Sequence, residues 1–157
     1  MNNLNKIKEK FLYEIWENKK FKNDHLFTTT GEPIEILHIG EKNYGGDGPD
    51  YKNARISIGG IKYVGDIEID TNLSDWVNHG HNKNEKYNRV ILHIFFNKDV
   101  REFKPKTSSG RQITSLNLSD FLSENLRTTI REAISLEMDH RVKGIPCQYH
   151  ELQTTTD

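Results

Sequence analysis

The chain has 157 residues, 34% hydrophobic and 29% charged, with a formal net charge of −1; that length suits one domain that buries its own core. The near-neutral balance excludes a global basic field, so a nucleic-acid partner would have to meet a local patch. A single cysteine, Cys147, excludes an intrachain disulfide framework, and no apolar run approaches the roughly 20 residues of a membrane span. The start, "MNNLNKIKEKFLYEIW", lacks the apolar core of a signal peptide. These features predict a soluble, cytoplasmic protein with no membrane partner.

Leu4, Ile7, Phe11, Leu12 and Ile15 recur at helical spacing and predict an amphipathic helix over 4–20. "TTTGEPIEILHIG" gives a loop and a short strand at about 34–39. "GEKNYGGDGPD" is a loop by its Gly, Asn and Asp content. "ARISI" and "IKYVGDIEID" alternate on either side of Gly59-Gly60, which marks a two-residue hairpin turn. Ser74 before "DW" reads as the cap of a short helix that "NHGHNKN" soon breaks. "RVILHIFF" (89–96) is almost continuously apolar and reads as a central strand. "QITSLNL" (112–118) alternates as another strand. Ser119 then caps a helix whose inner face is Leu122, Leu126, Ile130, Ala133 and Ile134. The tail "HELQTTTD" is polar and expected to fray. The order α-β-β-β-α-β, then a strand and a long helix, predicts one α/β domain over 1–157 with a mixed sheet and a core within about 4–136.

The hairpin gathers four acids near one edge. With Gly59-Gly60 as the turn, Ile58 faces Ile61 and Ala54 faces Gly65. Asp50 then lies near Ile69, beside Glu68 and Asp70. Asp66, Glu68 and Asp70 alternate with Ile67 and Ile69 and share a face. A regular ladder would aim Asp50 at the apolar face with Ala54 and Ile56. An irregular lead-in at Pro49, or a bulge at Gly65, would turn it round. Carboxylates converging there suit a hard divalent cation, Mg²⁺ or Mn²⁺, with Asp50 and Glu68 as ligands. The plainer alternative is a solvated acidic edge that deters sheet-to-sheet pairing.

The αβββαβ order, with "PD" opening one strand and Glu-x-Asp closing the next, resembles the PD-(D/E)XK nuclease core, a restriction-endonuclease-like fold. The resemblance implies Asp50 as the first acid and Glu68 as the second. Asp70 falls where that motif has lysine, so it would assist or accept a proton. Lys52, Lys83 or Lys86 would then be the nearby cation, and Glu9 or Glu14 would match the superfamily's helical glutamate. A second resemblance is more specific. "FLYEIWENKKF", "TTTGEPIEILHIG", "GPDYKNARISIGG", "VGDIEI", "SDWVNHGHN" and "YNRVILHIFF" look like the amino-terminal part of a bacterial family common in Bacteroidetes and named only as a domain of unknown function. This resemblance runs from about Phe11 to Leu122. Family members are typically longer and usually carry His at the position of Asp70. It implies fold boundaries and supplies no reaction.

His79 and His81 form an H-x-H pair, with Glu85 following, and both can face one ion. They are read chiefly as neighbours of the acidic site, binding phosphate or orienting water; a helix C-terminal cap is the plainer role. His93, in an apolar run, reads as a hydrogen-bonded core histidine. Trp16 and Trp76 read as core, and Cys147, with His150 nearby, as an inert thiol rather than a zinc ligand. Lys104, Lys106 and Arg111 flank a loop that would either touch a phosphate backbone or simply be solvated. The leading expectation is a Mg²⁺-dependent nuclease-like domain acting on nucleic acid, DNA ahead of RNA, with Asp50, Glu68 and Asp70 as its catalytic acids. A homodimer is a candidate assembly. Two alternatives stand: a catalytically degenerate nuclease-like module that binds nucleic acid or protein, and a metallohydrolase using His79, His81 and Asp50.

Overall fold

The computed structural model describes residues 3–22 and 25–143. Helix α1 covers Asn3–Glu17. Its Leu12, Ile15 and Trp16, at helical spacing, are almost fully buried. It stops short of the expected residue 20 because Lys19 takes a left-handed φ of 50°, and Lys20 N–H closes back on the Ile15 carbonyl at 3.0 Å. That is the hydrogen-bond pattern of a left-handed helix stop.

Seven strands form one mixed sheet. They are β1 (Leu26–Phe27), β2 (Pro33–His38), β3 (Glu41–Lys42), β4 (Tyr51–Ile58), β5 (Ile61–Asn72), β6 (Val90–Asn97) and β7 (Thr114–Asn117). The spatial order is β1-β2-β4-β5-β6-β7, with β3 pairing β4. Pairing is antiparallel as far as β5, and parallel from β5 to β6 and from β6 to β7. The expected α/β class and mixed sheet are present. So is the helix, three-strand meander, short helix, strand, strand, long helix order, with the two-residue strands β1 and β3 added. The short helix, α2, is Asp75–Asn78, and the last, α3, is Glu124–Lys143.

Three local expectations are corrected. Ser74 does not cap α2; its hydroxyl and N–H both reach Asp99. Ser119 lies in a tight turn, Leu118–Phe121, and α3 is capped instead by Ser123, whose hydroxyl accepts from Leu126 N–H at 3.2 Å. The final strand is shorter than 112–118. The inner face expected of α3 does hold: Leu122 and Ile130 are buried, and Leu126 and Ile134 pack against the same core. The polar tail, Cys147 and His150 lie outside the described residues. Among those residues no helix is long and apolar enough to cross a membrane.

The two faces of the sheet differ. Ile67 and Ile69 of β5 and Leu92, Ile94 and Phe96 of β6 join α1 and α3 in the main core. Between them, Glu68 and Asp70 point to the opposite face, and Glu68 is paired with His93 of β6 in the parallel register. There the packing is thin, with Trp76, Tyr87, Val90 and Ile113 forming a small second cluster. Burial of a row of acids therefore has to be offset by something other than apolar packing.

Gly65 is required where β5 passes β6. A Cβ there would lie 2.6 Å from the Arg89 carbonyl oxygen and 2.5 Å from Ile91 Cγ2. The backbone oxygen cannot rotate away, so Gly65→Ala is expected to destabilise the fold by about 1–3 kcal/mol, the usual range for overpacking. A denaturant melt reads this directly, and an unchanged midpoint would contradict the close approach.

Candidate metal centre on the central strand

The site begins with a miscount in β4. Ala54 pairs with Gly65 as the hairpin count requires, but Tyr51 pairs with Ile67, so β4 carries one extra residue between them. Asn53 absorbs it in a left-handed conformation, φ 57°, which Asn tolerates better than most residues. Its N–H donates to Asp66 Oδ1 at 3.2 Å, which pins the bulge. As a result Tyr51, Ala54, Ile56 and Ile58 all reach the main core although 51 to 54 is an odd step. Asp50, next to Tyr51, is thereby turned onto the acidic face. The bulge sits at Asn53, not at Gly65 or the Pro49 lead-in.

Asp50 is held on both oxygens. Oδ2 accepts from Ile69 N–H at 2.8 Å, and Oδ1 meets the Tyr13 hydroxyl at 2.7 Å. Asp50 N–H in turn donates to Glu68 Oε1 at 3.2 Å. Each carboxylate oxygen has two lone pairs, so these contacts orient Asp50 without exhausting it. The Tyr13 hydroxyl also lies 2.9 Å from Glu9 Oε2. One hydroxyl proton cannot serve two carboxylates, so one of the two acids carries a proton of its own.

Three histidines close around Glu68 and Asp70. His93 Nε2 is 2.9 Å from Asp70 Oδ2, both residues being fully buried. His79 Nδ1 is 3.2 Å from Asp70 Oδ1, and His81 Nε2 is 2.9 Å from Glu68 Oε2. The last two contacts are close but not aligned as hydrogen bonds: Asp70 Oδ1 and both His81 ring nitrogens are buried without a hydrogen-bond partner. One ligand atom from each of Asp70, His79 and His81 lies within 4.8 Å of the others. The His81 ring is clamped, stacked on Tyr87 at 3.9 Å and edge-on to Trp76 at 5.2 Å. Trp76 also meets His93 edge-on at 5.3 Å, and its indole N–H donates to the Lys106 carbonyl.

Asp50, Glu68, His79 and His81 line a cavity of about 760 Å³, whereas Asp70, His93 and Trp76 are fully buried. Glu9, Lys10 and Tyr13 of α1 make one wall, and the Lys42–Gly48 loop another; His79, His81 and Tyr87 complete it. The Tyr87 hydroxyl donates to the Gly48 carbonyl at 3.1 Å and ties that loop to the histidine side.

The electrostatics follow from crowding acids in a dry place. Burial, then the Asp70 and Asp50 charges, push Glu9 up to about 8. Burial raises Asp50 to about 6 despite the Ile69 N–H and Tyr13 contacts. Burial first, and the neighbouring Asp50 and Asp70 second, lift Glu68 well above the usual carboxylate range. Asp70 is the exception: burial would raise it, but His79 and His93 together with His81 hold it down at about 2. Burial drops His81 to about 4, so its ring is neutral at pH 7, whereas His79 is raised by its contact with Asp70. The floor therefore keeps protons at neutral pH that a cation would displace.

A family model described as a protein of unknown function, DUF2851, matches residues 9–156. The chain belongs to this family. No curated protein and no solved structure matches it. In this DUF2851 chain the structure brings together Asp50, Glu68, Asp70, His79 and His81 from the residues singled out in the sequence, and Glu9 from the two helical glutamates. Glu14 is exposed and pairs with Lys20 at 3.3 Å. Lys52 points to Asp66, 3.9 Å away, and Lys83 is exposed; neither lines the cavity. Lys86 pairs with Asp47 on the surface. Arg111 donates to the Asn88 and Val90 carbonyls and serves as a loop brace rather than a free phosphate contact. Tyr13 and Tyr87 escaped the sequence reading. Glu9 and Tyr13 stand one helical turn apart, and that spacing was the available signal.

Proposed function

We propose that the cavity is the active site of a divalent-metal-dependent phosphodiesterase acting on nucleic acid, DNA ahead of RNA. The observation that carries this reading is the meeting of Asp50 and Glu68 with His79 and His81 in the lining of one open cavity, where the two histidines also form a compact cluster with the fully buried Asp70. Support also comes from the antiparallel β2–β4–β5 meander followed by the parallel strand β6, the strand order of a PD-(D/E)XK-like core. The donor set fits a cation. It offers carboxylate oxygens and imidazole nitrogens, and Asp70 Oδ1 is buried with no other partner. A divalent ion bound there would polarise a phosphoryl oxygen and favour ionisation of an attacking water.

The chain's own residues supply the rest. Asp50 takes the proton from that water; its carboxyl, at about 6, is matched to a base working near neutrality. Tyr13 and the Ile69 N–H fix its direction. Glu9, protonated at pH 7, is placed to return a proton to the leaving oxygen. Lys10 and Lys42 line the cavity and offset the charge of an incoming phosphate. No lysine stands at the motif's third position. Asp70 occupies it, held by His93 on Oδ2 and buried away from the cavity, so it leaves proton transfer to Asp50.

The test is incubation of metal-stripped protein with single- and double-stranded DNA and with RNA, with and without added Mg²⁺, Mn²⁺ or Zn²⁺. Metal-dependent cleavage of at least one substrate is expected. Absence of turnover on all three with every one of these ions would refute the reading.

A further inference from the structure

We infer that the resident ion is a nitrogen-accepting transition metal such as Zn²⁺ or Mn²⁺, seated on Asp70 Oδ1, His79 and His81 with Glu68 Oε2 as the adjacent fourth donor. This rests on the metal-dependent reading of the cavity but departs from a Mg²⁺ site on Asp50 and Glu68. Mg²⁺ prefers an all-oxygen octahedron, whereas one carboxylate with two imidazoles is the donor set of zinc, manganese and iron centres.

Four observations converge on that seat. The three ligand atoms already lie within 4.8 Å of one another. Asp70 Oδ1 is fully buried and lacks a hydrogen-bond partner, while its sister oxygen is pinned by His93 at 2.9 Å. A carboxylate held on one oxygen by a histidine and open on the other has the form of a ligand oriented by an outer partner. His81 is buried and neither ring nitrogen makes a hydrogen bond, a state that is costly if nothing else binds there. Its Nε2 nevertheless stops 2.9 Å from Glu68 Oε2. Two donors that approach without an aligned hydrogen between them are arranged for something placed beside both. Finally, the ring is clamped by Tyr87 and Trp76 rather than free to turn toward a protein acceptor.

Ordinary hydrogen bonding accounts for His93 Nε2 and Asp70 Oδ2, while His93 Nδ1 is buried without a partner. It does not account for Oδ1, His81 and the misaligned contacts, which one ion would satisfy together.

The experiment titrates chelator-stripped protein with Zn²⁺, Mn²⁺ and Mg²⁺ by calorimetry and with Co²⁺ by visible absorption, which reports nitrogen ligation without reference to activity. One equivalent of Zn²⁺ or Mn²⁺ is expected to bind at least 10-fold more tightly than Mg²⁺. The half-buried His79 is the safer substitution for folding. His79→Ala is expected to weaken Zn²⁺ binding at least 10-fold, with the circular dichroism spectrum unchanged. His81→Ala is expected to alter the Co²⁺ bands. Binding of Mg²⁺ as tight as that of Zn²⁺ and Mn²⁺, or Zn²⁺ affinity unchanged in His79→Ala, would overturn the inference. The two readings fail separately. Tight Zn²⁺ binding without cleavage of nucleic acid removes the phosphodiesterase and keeps the metal assignment. Mg²⁺-driven cleavage indifferent to His79→Ala removes the assignment and keeps the phosphodiesterase.

Discussion

Asp50→Asn is expected to lower metal-dependent cleavage by about 10²–10⁴-fold, the range a positioned general base contributes, without lowering the melting temperature. The substitution is close to isosteric. Its amide oxygen can accept from the Ile69 N–H and its amide nitrogen can donate to the Tyr13 hydroxyl, so both contacts that hold Asp50 survive in form. Tyr13 is then free to give its own proton to Glu9, 2.9 Å away. What disappears is the base, together with one of the charges that raise Glu9 and Glu68. Cleavage rates and a thermal melt, run on the same preparation, give the answer. Activity within 10-fold of the parent would move the catalytic base elsewhere, and a collapse in melting temperature would make the loss of activity uninformative about chemistry.

The second large effect is on stability. In the absence of a divalent ion, the melting temperature should fall as pH rises from about 6.5 to about 8. Glu9, at about 8 in the folded chain against 4.5 for a free carboxyl, binds a proton in that window that the unfolded chain has released. Glu68 is raised in the same sense. His79 is raised too, so it retains its proton above the pH at which an unfolded histidine loses it. All three groups contribute stability below their unfolded values and lose it through their folded ones. The slope is about 1.4 kcal/mol per pH unit for each proton retained. His81, lowered to about 4, acts in the opposite direction, but only between about 4 and 6.5; the descent above 6.5 is therefore unopposed by it. A divalent ion that replaces these protons should add about 2.7 kcal/mol at 100 times its dissociation constant, and more as pH rises. Melts across pH with and without Mn²⁺ test this. A metal-free curve that is flat or rising from 6.5 to 8 would mean the acids are not crowded as described.

Much of this was legible in the sequence because it depends on short-range counting. Gly59-Gly60 set the hairpin, Ile58 met Ile61, and Ala54 met Gly65. The apolar run at 89–96 announced the strand that pairs in parallel with β5. His93 was recognisable as a hydrogen-bonded core histidine because an imidazole inside such a run needs a partner, and Asp70 is the partner of its Nε2. What the sequence hid was three-dimensional. Glu9 and Glu14 differ only in which side of one helix they occupy, and no pattern in α1 says which side looks into a cavity built by the other elements. Lys52 looked close by topology, yet it points to Asp66. His79 and His81 carried the right spacing, but the carboxylate that joins them in the compact cluster is Asp70 rather than Asp50.

The extra residue in β4 gives the site an unusual dependence. Asn53 touches none of the candidate chemistry, yet it decides on which side of the sheet Asp50 emerges. Removing that one residue, with every acid and histidine untouched, would return the strand to even alternation and bring Asp50 out among Ala54 and Ile56. The centre is thus encoded partly in the length of a strand. Two relatives with identical site residues and a one-residue difference between positions 51 and 54 would not share the placement of Asp50.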